Sequence, residues 1–233
     1  MKIHLNYAKG RYLASQKACS KSAVEVGGFD DSKPYSEEHL DSEFRQRNQY
    51  TLMQSRGAGF WLWKPYLLLD IVSQLDSEDY LMYTDSGMMF LRDPWGMISL
   101  HEDHMNDKGI AFFTGDGVLE NKYYTKRDTF ILMQADDVMY TDGRHLDASV
   151  VLCKKTPFSI AFLEEWLAYA QDPRILTDLP NTQGKPNYPE FRDHRHDQSI
   201  ASILAIRHGL TPIDRITQWH MPNPYILHHR NPA

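Results

Sequence analysis

Four short segments hold the residues best able to do chemistry. Asp79-Tyr80-Leu81-Met82-Tyr83-Thr84-Asp85-Ser86-Gly87 runs an apolar stretch into a carboxylate and then a glycine. A strand that delivers Asp85 to its C-terminal end puts it where open α/β sheets bind ligands. A carboxylate there holds Mg²⁺ or Mn²⁺, which prefer oxygen ligands and bridge to substrate phosphates; the competing reading is a simple turn cap. Trp61-Leu62-Trp63-Lys64-Pro65-Tyr66 places Lys64 at a helix entrance, where backbone N–H groups and the dipole favour anions. Lys64 then reaches a diphosphate, or it is a solvated cation among core aromatics.

The third segment sets six ionisable groups, Arg192 to Asp197, directly before Gln198. Such a cluster is costly to bury, so it is either exposed or employed. His194 and His196 are metal ligands or part of a solvated loop; Asp197 and Gln198 open a helix and can point into a cleft. The fourth segment is His228-His229-Arg230. An imidazole there can complete the coordination of a metal on Asp85, and Arg230 can meet a phosphate bidentately. A disordered end is the alternative. Lys126-Arg127-Asp128 and His145-Leu146-Asp147-Ala148-Ser149 either hold sugar hydroxyls or form plain surface.

These residues need elements to position them. Ile3, Leu5 and Tyr7 alternate as a strand does. A helix from about Arg11 to Ala23 follows, then a short strand at Val24 to Val26 closed by Gly27-Gly28. Ser36 before Glu37 and Glu38 reads as a helix start. Pro65 suits the first position of a helix running to Leu75. Tyr80 to Tyr83 and Val150 to Cys153 read as buried strands, Ile110 to Phe113 as another, and Thr125 to Gln134 as a helix. Thr156-Pro157 caps a helix to about Ala170, and Asp197 to His208 is helical with Gly209 as its stop. Residues 172–192 hold four prolines and no period, as a lid or binding loop would. Met221 to Ala233 reads as an irregular tail. The order predicts an α/β sandwich around a mainly parallel sheet.

Composition narrows the class. Lys plus Arg number 25 against 31 Asp plus Glu, a net charge of −6, so nothing draws the chain generally to nucleic acid or anionic lipid. At 233 residues it has room for one α/β domain, or for two small lobes sharing one core. Two cysteines, Cys19 and Cys153, favour a reducing compartment. The start MKIHLNY lacks a signal peptide's apolar core, and the stretch from Tyr66 to Leu75 is too short to span a bilayer. The expected location is cytoplasmic (a host's cytoplasm if the protein is viral).

Together the segments resemble GT-A glycosyltransferases. These carry a strand ending in Asp-x-Asp or a variant, after a helix that begins near a basic residue; here they are "DYLMYTDSG" and "WLWKPYLLL". The chain is similar to small sugar transferases of bacterial capsule and lipopolysaccharide clusters and to glycosyltransferase domains of large algal viruses. "HLDASVVLCKKT" is similar to the segment that holds the donor sugar, "HRHDQSIASILA" to an Asp-Gln segment near the anomeric carbon, and "HHR" to a metal-ligating tail. The resemblance spans about Ile3 to Arg230. One departure is Gly87, which stands where the second carboxylate would be.

The resemblance implies a GT-A, Rossmann-like α/β/α sandwich with a mainly parallel mixed sheet. It implies one catalytic domain over 1–233, alone or at the head of a longer chain, with residues 221–233 closing over the donor. Its implied function is hexose transfer (galactose, glucose or rhamnose type) from a UDP-sugar to a glycan acceptor, with Mn²⁺ or Mg²⁺ and with retention. Asp85, His228 and His229 would hold the metal. Tyr7, Lys64, Asp85, Ser86, Arg127, Asp147, Ser149 and Arg230 would bind the donor, with Tyr7 stacking on uracil. Asp197 and Gln198 would be catalytic. A metal-dependent phosphohydrolase and a non-catalytic carbohydrate-binding domain are the rival readings.

Overall fold

The computed structural model describes residues 1–114, 119–217 and 223–228. Its central sheet has five strands: β1 (Lys2–Tyr7), β2 (Asp31–Tyr35), β3 (Tyr80–Thr84), β5 (Ile110–Thr114) and β6 (Leu146–Cys153). Their order is β2-β1-β3-β6-β5. β1 pairs parallel with β2 and β3, while β6 runs antiparallel between β3 and β5. Four strands therefore point one way and β6 the other, which gives the mainly parallel mixed sheet that the sequence predicts. A second, two-stranded sheet joins β4 (Met88–Phe90) to β7 (Ile226–His228).

Alternation along the strands gives the sheet two buried faces. Leu5, Leu81, Tyr83, Phe112 and Val151 face one core. That core is covered by α2 (Trp63–Gln74), α3 (Pro157–Ala170) and α4 (Asp197–Arg207), through residues such as Leu68, Trp166 and Ile203. Met82, Ala111, Phe113, Val150 and Leu152 face the other core, against Cys19 and Ala23 of α1 (Leu13–Glu25), Phe90 of β4 and Trp95. The result is three layers, α/β/α. The second face also buries His4, whose Nε2 lies 2.8 Å from Thr84 Oγ1. Burial pulls the His4 imidazole down to about 3, so it is neutral and fixes a rotamer rather than carrying charge.

Several local signals act as expected. Thr156 accepts from Ser159 N and caps α3, with Pro157 in its first turn. Gly209 ends α4 at φ +63°. Other expectations need correction. Val24 and Val26 close α1 rather than form a strand: the Val26 and Gly27 N–H groups both donate to Ser22 O. The strand lies later, at Asp31–Tyr35, on a sheet edge where Pro34 is tolerated. Within the expected irregular tail, Ile226–His228 is a strand that pairs with Met88–Phe90, and Ile226 is fully buried.

The proline-rich stretch is pinned at several points. Pro173–Leu176 forms one helical turn. Further on, buried Asp128 accepts from Thr182 N at 2.6 Å, Thr182 Oγ1 at 2.9 Å and Gln183 N at 3.1 Å. Asp136 receives Tyr188 Oη at 2.9 Å and Lys185 Nζ at 3.0 Å. No helix among the described residues is long and apolar enough to cross a membrane.

Candidate active site

The strand order reverses direction beside β1. From β1 the chain crosses to β2 on one side, then returns to β3 on the other. A crevice must open outside the carboxyl ends of β1 and β3, because the connections leave in opposite directions there. A cleft of about 760 Å³ lies at this point. One wall is the end of β1 and the turn after it, Tyr7 to Tyr12. A second is the segment Leu52 to Ala58 with Trp61 and Trp63. The floor is Tyr83, Asp85, Ser86 and Gly87, and His228 closes one edge.

Asp85 follows β3 and continues its alternation, so it shares the face of Leu81 and Tyr83. That is the face α2 covers, which is why Lys64 meets it. Lys64 Nζ lies 3.9 Å from Asp85 Oδ1 and 2.7 Å from Asp197 Oδ2. Tyr83 Oη donates to the same Asp85 oxygen at 2.6 Å. Tyr83 could have been found from its i−2 spacing to Asp85, and its phenol is pushed well above its ordinary range by burial and by the Asp85 charge. Asp197 is drawn up to about 6, chiefly by burial; Lys64 opposes that rise and Asp85 adds to it.

A bulge in β6 completes the cluster. Between Phe112↔Val151 and Phe113↔Asp147 the register jumps, which frees the backbone of Ala148 from the ladder. Lys64 Nζ donates to Ala148 O at 3.0 Å, and Ala148 N donates to Gln198 Oε1 at 3.2 Å. Ser149 O accepts from Asp85 N at 2.9 Å, and Ser149 N donates to Asp147 Oδ1 at 2.9 Å. Burial also raises the Asp147 carboxyl, against the Ser149 hydrogen bonds. Lys64, Asp85, Asp147, Ser149, Asp197 and Gln198, far apart in sequence, thus form one connected group.

Only part of that group reaches the cleft. Of its six members Asp85 lines it, together with Ser86, Tyr7 and His228 from outside the group. Asp197, 3% exposed, and Lys64, 3% exposed, pack behind Asp85. Tyr7 is 5% exposed, with its ring stacked on Trp63 at 4.0 Å; burial and Glu37 push its phenol up to about 12. Arg127 lies apart, with Nε 2.7 Å from Asp136 and its guanidinium 3.9 Å from the Tyr188 ring. His229 and Arg230 fall outside the described residues.

His194 and His196 are neither solvated nor aimed at the cleft. His194 Nε2 lies 2.9 Å from Ile175 O, and His196 Nδ1 lies 2.8 Å from Leu176 O. Burial lowers His194 well below its ordinary range and His196 to about 4, so both serve as neutral donors to backbone carbonyls.

The cleft wall holds a feature that carries no sequence signal beyond its glycines. Gly57, Ala58, Gly59, Phe60 and Trp61 all have positive φ, at 57°, 50°, 102°, 55° and 59°. This left-handed turn costs L-residues roughly 1–2 kcal/mol each. It is braced by Trp63 Nε1 on Gly57 O at 3.0 Å, and by Arg56, which reaches Asp178 at 3.1 Å and Asp193 at 2.8 Å.

No protein-family model and no curated protein matches the sequence. Solved structures do match the fold. Mouse xyloside xylosyltransferase 1 superposes with TM-score 0.56 at 10% identity, over 98% of this chain and 97% of that one. The galactosyltransferase LgtC, solved with donor and acceptor sugar analogs, gives TM-score 0.52 at 11% identity, over 100% and 88%. A glycosyltransferase involved in glycosylation of the major capsid of PBCV-1 gives 0.51 at 8% identity, over 98% and 92%. The chain therefore has the GT-A glycosyltransferase fold, with its cleft at the switch point of that fold.

Proposed function

We propose that the chain is a metal-dependent glycosyltransferase that moves a hexose from a UDP-sugar to a glycan acceptor with retention. The observation that carries this reading is the Lys64–Asp85–Asp197 cluster at the carboxyl end of β3, opening on a cleft at the β1/β3 switch point. A metal-dependent phosphohydrolase built on the His and Asp clusters is not favoured, because the His194 and His196 imidazoles are buried against backbone carbonyls.

Within the cluster one ammonium faces two carboxylates. A diphosphate arriving there meets excess negative charge, which calls for a further cation. Asp85 and His228 are the described residues suited to hold one, as oxygen and imidazole ligands at one cleft edge. The Cβ that Gly87 lacks would stand 3.8 Å from His228 Nε2, so the imidazole lies close above the floor. No group of three or more His, Cys, Asp or Glu side chains gathers as a metal site among the described residues, so donor oxygens and water must supply the remaining ligands. The metal's chemistry is that of a Lewis acid for the departing diphosphate.

The chain's own residues have distinct tasks in this reading. Tyr83 and Lys64 both approach Asp85 Oδ1 and fix the carboxylate, leaving its other oxygen for ligation. Asp147 and Ser149 hold Asp85 in place: Ser149 O accepts from Asp85 N, and Asp147 Oδ1 accepts from Ser149 N. Gln198 and Asp197 brace the same bulge, Gln198 through Ala148 N and Asp197 through Lys64, which donates to Ala148 O. Tyr7 and the exposed Tyr12 give the base an aromatic wall. The test is thermal stabilisation by UDP with and without Mn²⁺. The reading expects a shift that needs Mn²⁺; no shift under either condition contradicts it.

A further inference from the structure

Three cations beyond the histidine bring side chains to the cleft: Lys9, Arg11 and Arg56. Lys9 is paired with Glu37. Arg56 is held between Asp178 and Asp193. Arg11 differs, because its described contacts are with Tyr12 alone: Nη2 donates to Tyr12 Oη at 3.0 Å, and the guanidinium lies 5.1 Å from the Tyr12 ring. No carboxylate pairs with it among the described residues. It sits on the one-turn helix Gly10–Tyr12, directly after β1. Leu5 of β1 is in register with Tyr83 of β3, so the two strands end at one level, and the turn after β1 and Asp85 after β3 line the same cleft.

Of the other cations proposed for a phosphate, Arg230 falls outside the described residues and the remaining two are committed elsewhere. Lys64 is buried and taken by Asp197 and Ala148 O, and Arg127 is taken by Asp136. We infer that Arg11 is a side chain that binds the donor diphosphate, gripping it from the β1 wall of the cleft that Asp85 also lines. This assignment rests on the UDP-sugar reading above. Arg11 suits the task physically. A guanidinium grips phosphate oxygens with paired N–H donors, and its stacking on Tyr12 limits the freedom it must give up on binding. Tyr12 would meet the base beside it, so one turn reads both ends of the nucleotide.

The test is binding of UDP with Mn²⁺ by calorimetry, and of uridine by NMR titration, for the whole chain and for Arg11→Gln and Arg11→Lys. Arg11 is exposed, so both variants should melt with the wild type. Arg11→Gln should weaken UDP about 10- to 100-fold, the worth of a charge-assisted pair, and leave uridine unchanged; Arg11→Lys should recover part of the loss. UDP binding by Arg11→Gln within about twofold of wild type overturns the assignment and leaves the donor reading standing. Equal loss of uridine also overturns it, because Arg11 would then act by placing Tyr12. A wild type that binds no UDP overturns the donor reading, and the assignment falls with it.

Discussion

Lys64 Nζ lies 2.7 Å from Asp197 Oδ2, and both side chains are nearly sealed from water. The pair joins α2 to α4 beneath the carboxylate on the cleft floor. Breaking it from one side leaves a buried charge alone, which typically costs about 3–5 kcal/mol. Lys64→Met should lose about that much in denaturant unfolding. Lys64→Met/Asp197→Leu should regain most of it, because an apolar pair needs no partner. Strictly additive losses in the double variant would contradict the coupling.

The same pair makes a pH prediction. Burial holds the Asp197 carboxyl up at about 6 in the folded protein, above the ordinary carboxylate range near 4 that it has in the unfolded chain. Below about pH 4 both states hold the proton and burial carries no charge penalty. Between about 4 and 6 the unfolded chain ionises first, so this group's contribution falls as pH rises, by about 3 kcal/mol in all. Stability of wild type relative to Asp197→Asn should therefore decline across that window. Parallel curves from pH 4 to pH 7 would contradict it.

Asp128 is fully buried and accepts three hydrogen bonds from Thr182 and Gln183. Asp128→Ala should cost about 2–4 kcal/mol and speed amide exchange in residues 177–192 above all. Uniform acceleration across the chain would show that Asp128 does not act through that stretch.

Gly59 has φ +102°, and a Cβ there would stand 2.8 Å from Leu52 Cα. Gly59→Ala should cost about 2 kcal/mol or more and displace Trp61, visible as a shift in tryptophan fluorescence. A stable variant with unchanged emission would mean that the left-handed turn relaxes freely.

What the sequence revealed, and what it hid, follows from range. Thr156-Pro157 and the run Tyr80 to Thr84 carry their signals within a few residues, so α3 and β3 were legible. Asp85, Lys64 and Asp197 were legible as candidates, but their arrangement was not. That depends on α2 covering the face of residues 81, 83 and 85, and on a bulge that no local pattern announces. Edge strand β2 was missed because Asp31-Ser32-Lys33-Pro34-Tyr35 has no apolar alternation, while Val24 and Val26, β-branched but exposed, drew the strand too early in the chain. His194 and His196 misled because burying imidazoles looks costly until their carbonyl partners, 19 and 20 residues away, are seen.

The most direct test of the central claim is hydrolysis of UDP-galactose, UDP-glucose and UDP-rhamnose with Mn²⁺, for wild type and Asp85→Asn. The account predicts turnover of at least one donor by wild type, lost with EDTA. It predicts a fall of about 100-fold or more in Asp85→Asn with an unchanged melting temperature. Equal turnover in the two proteins, or turnover indifferent to metal, would contradict it.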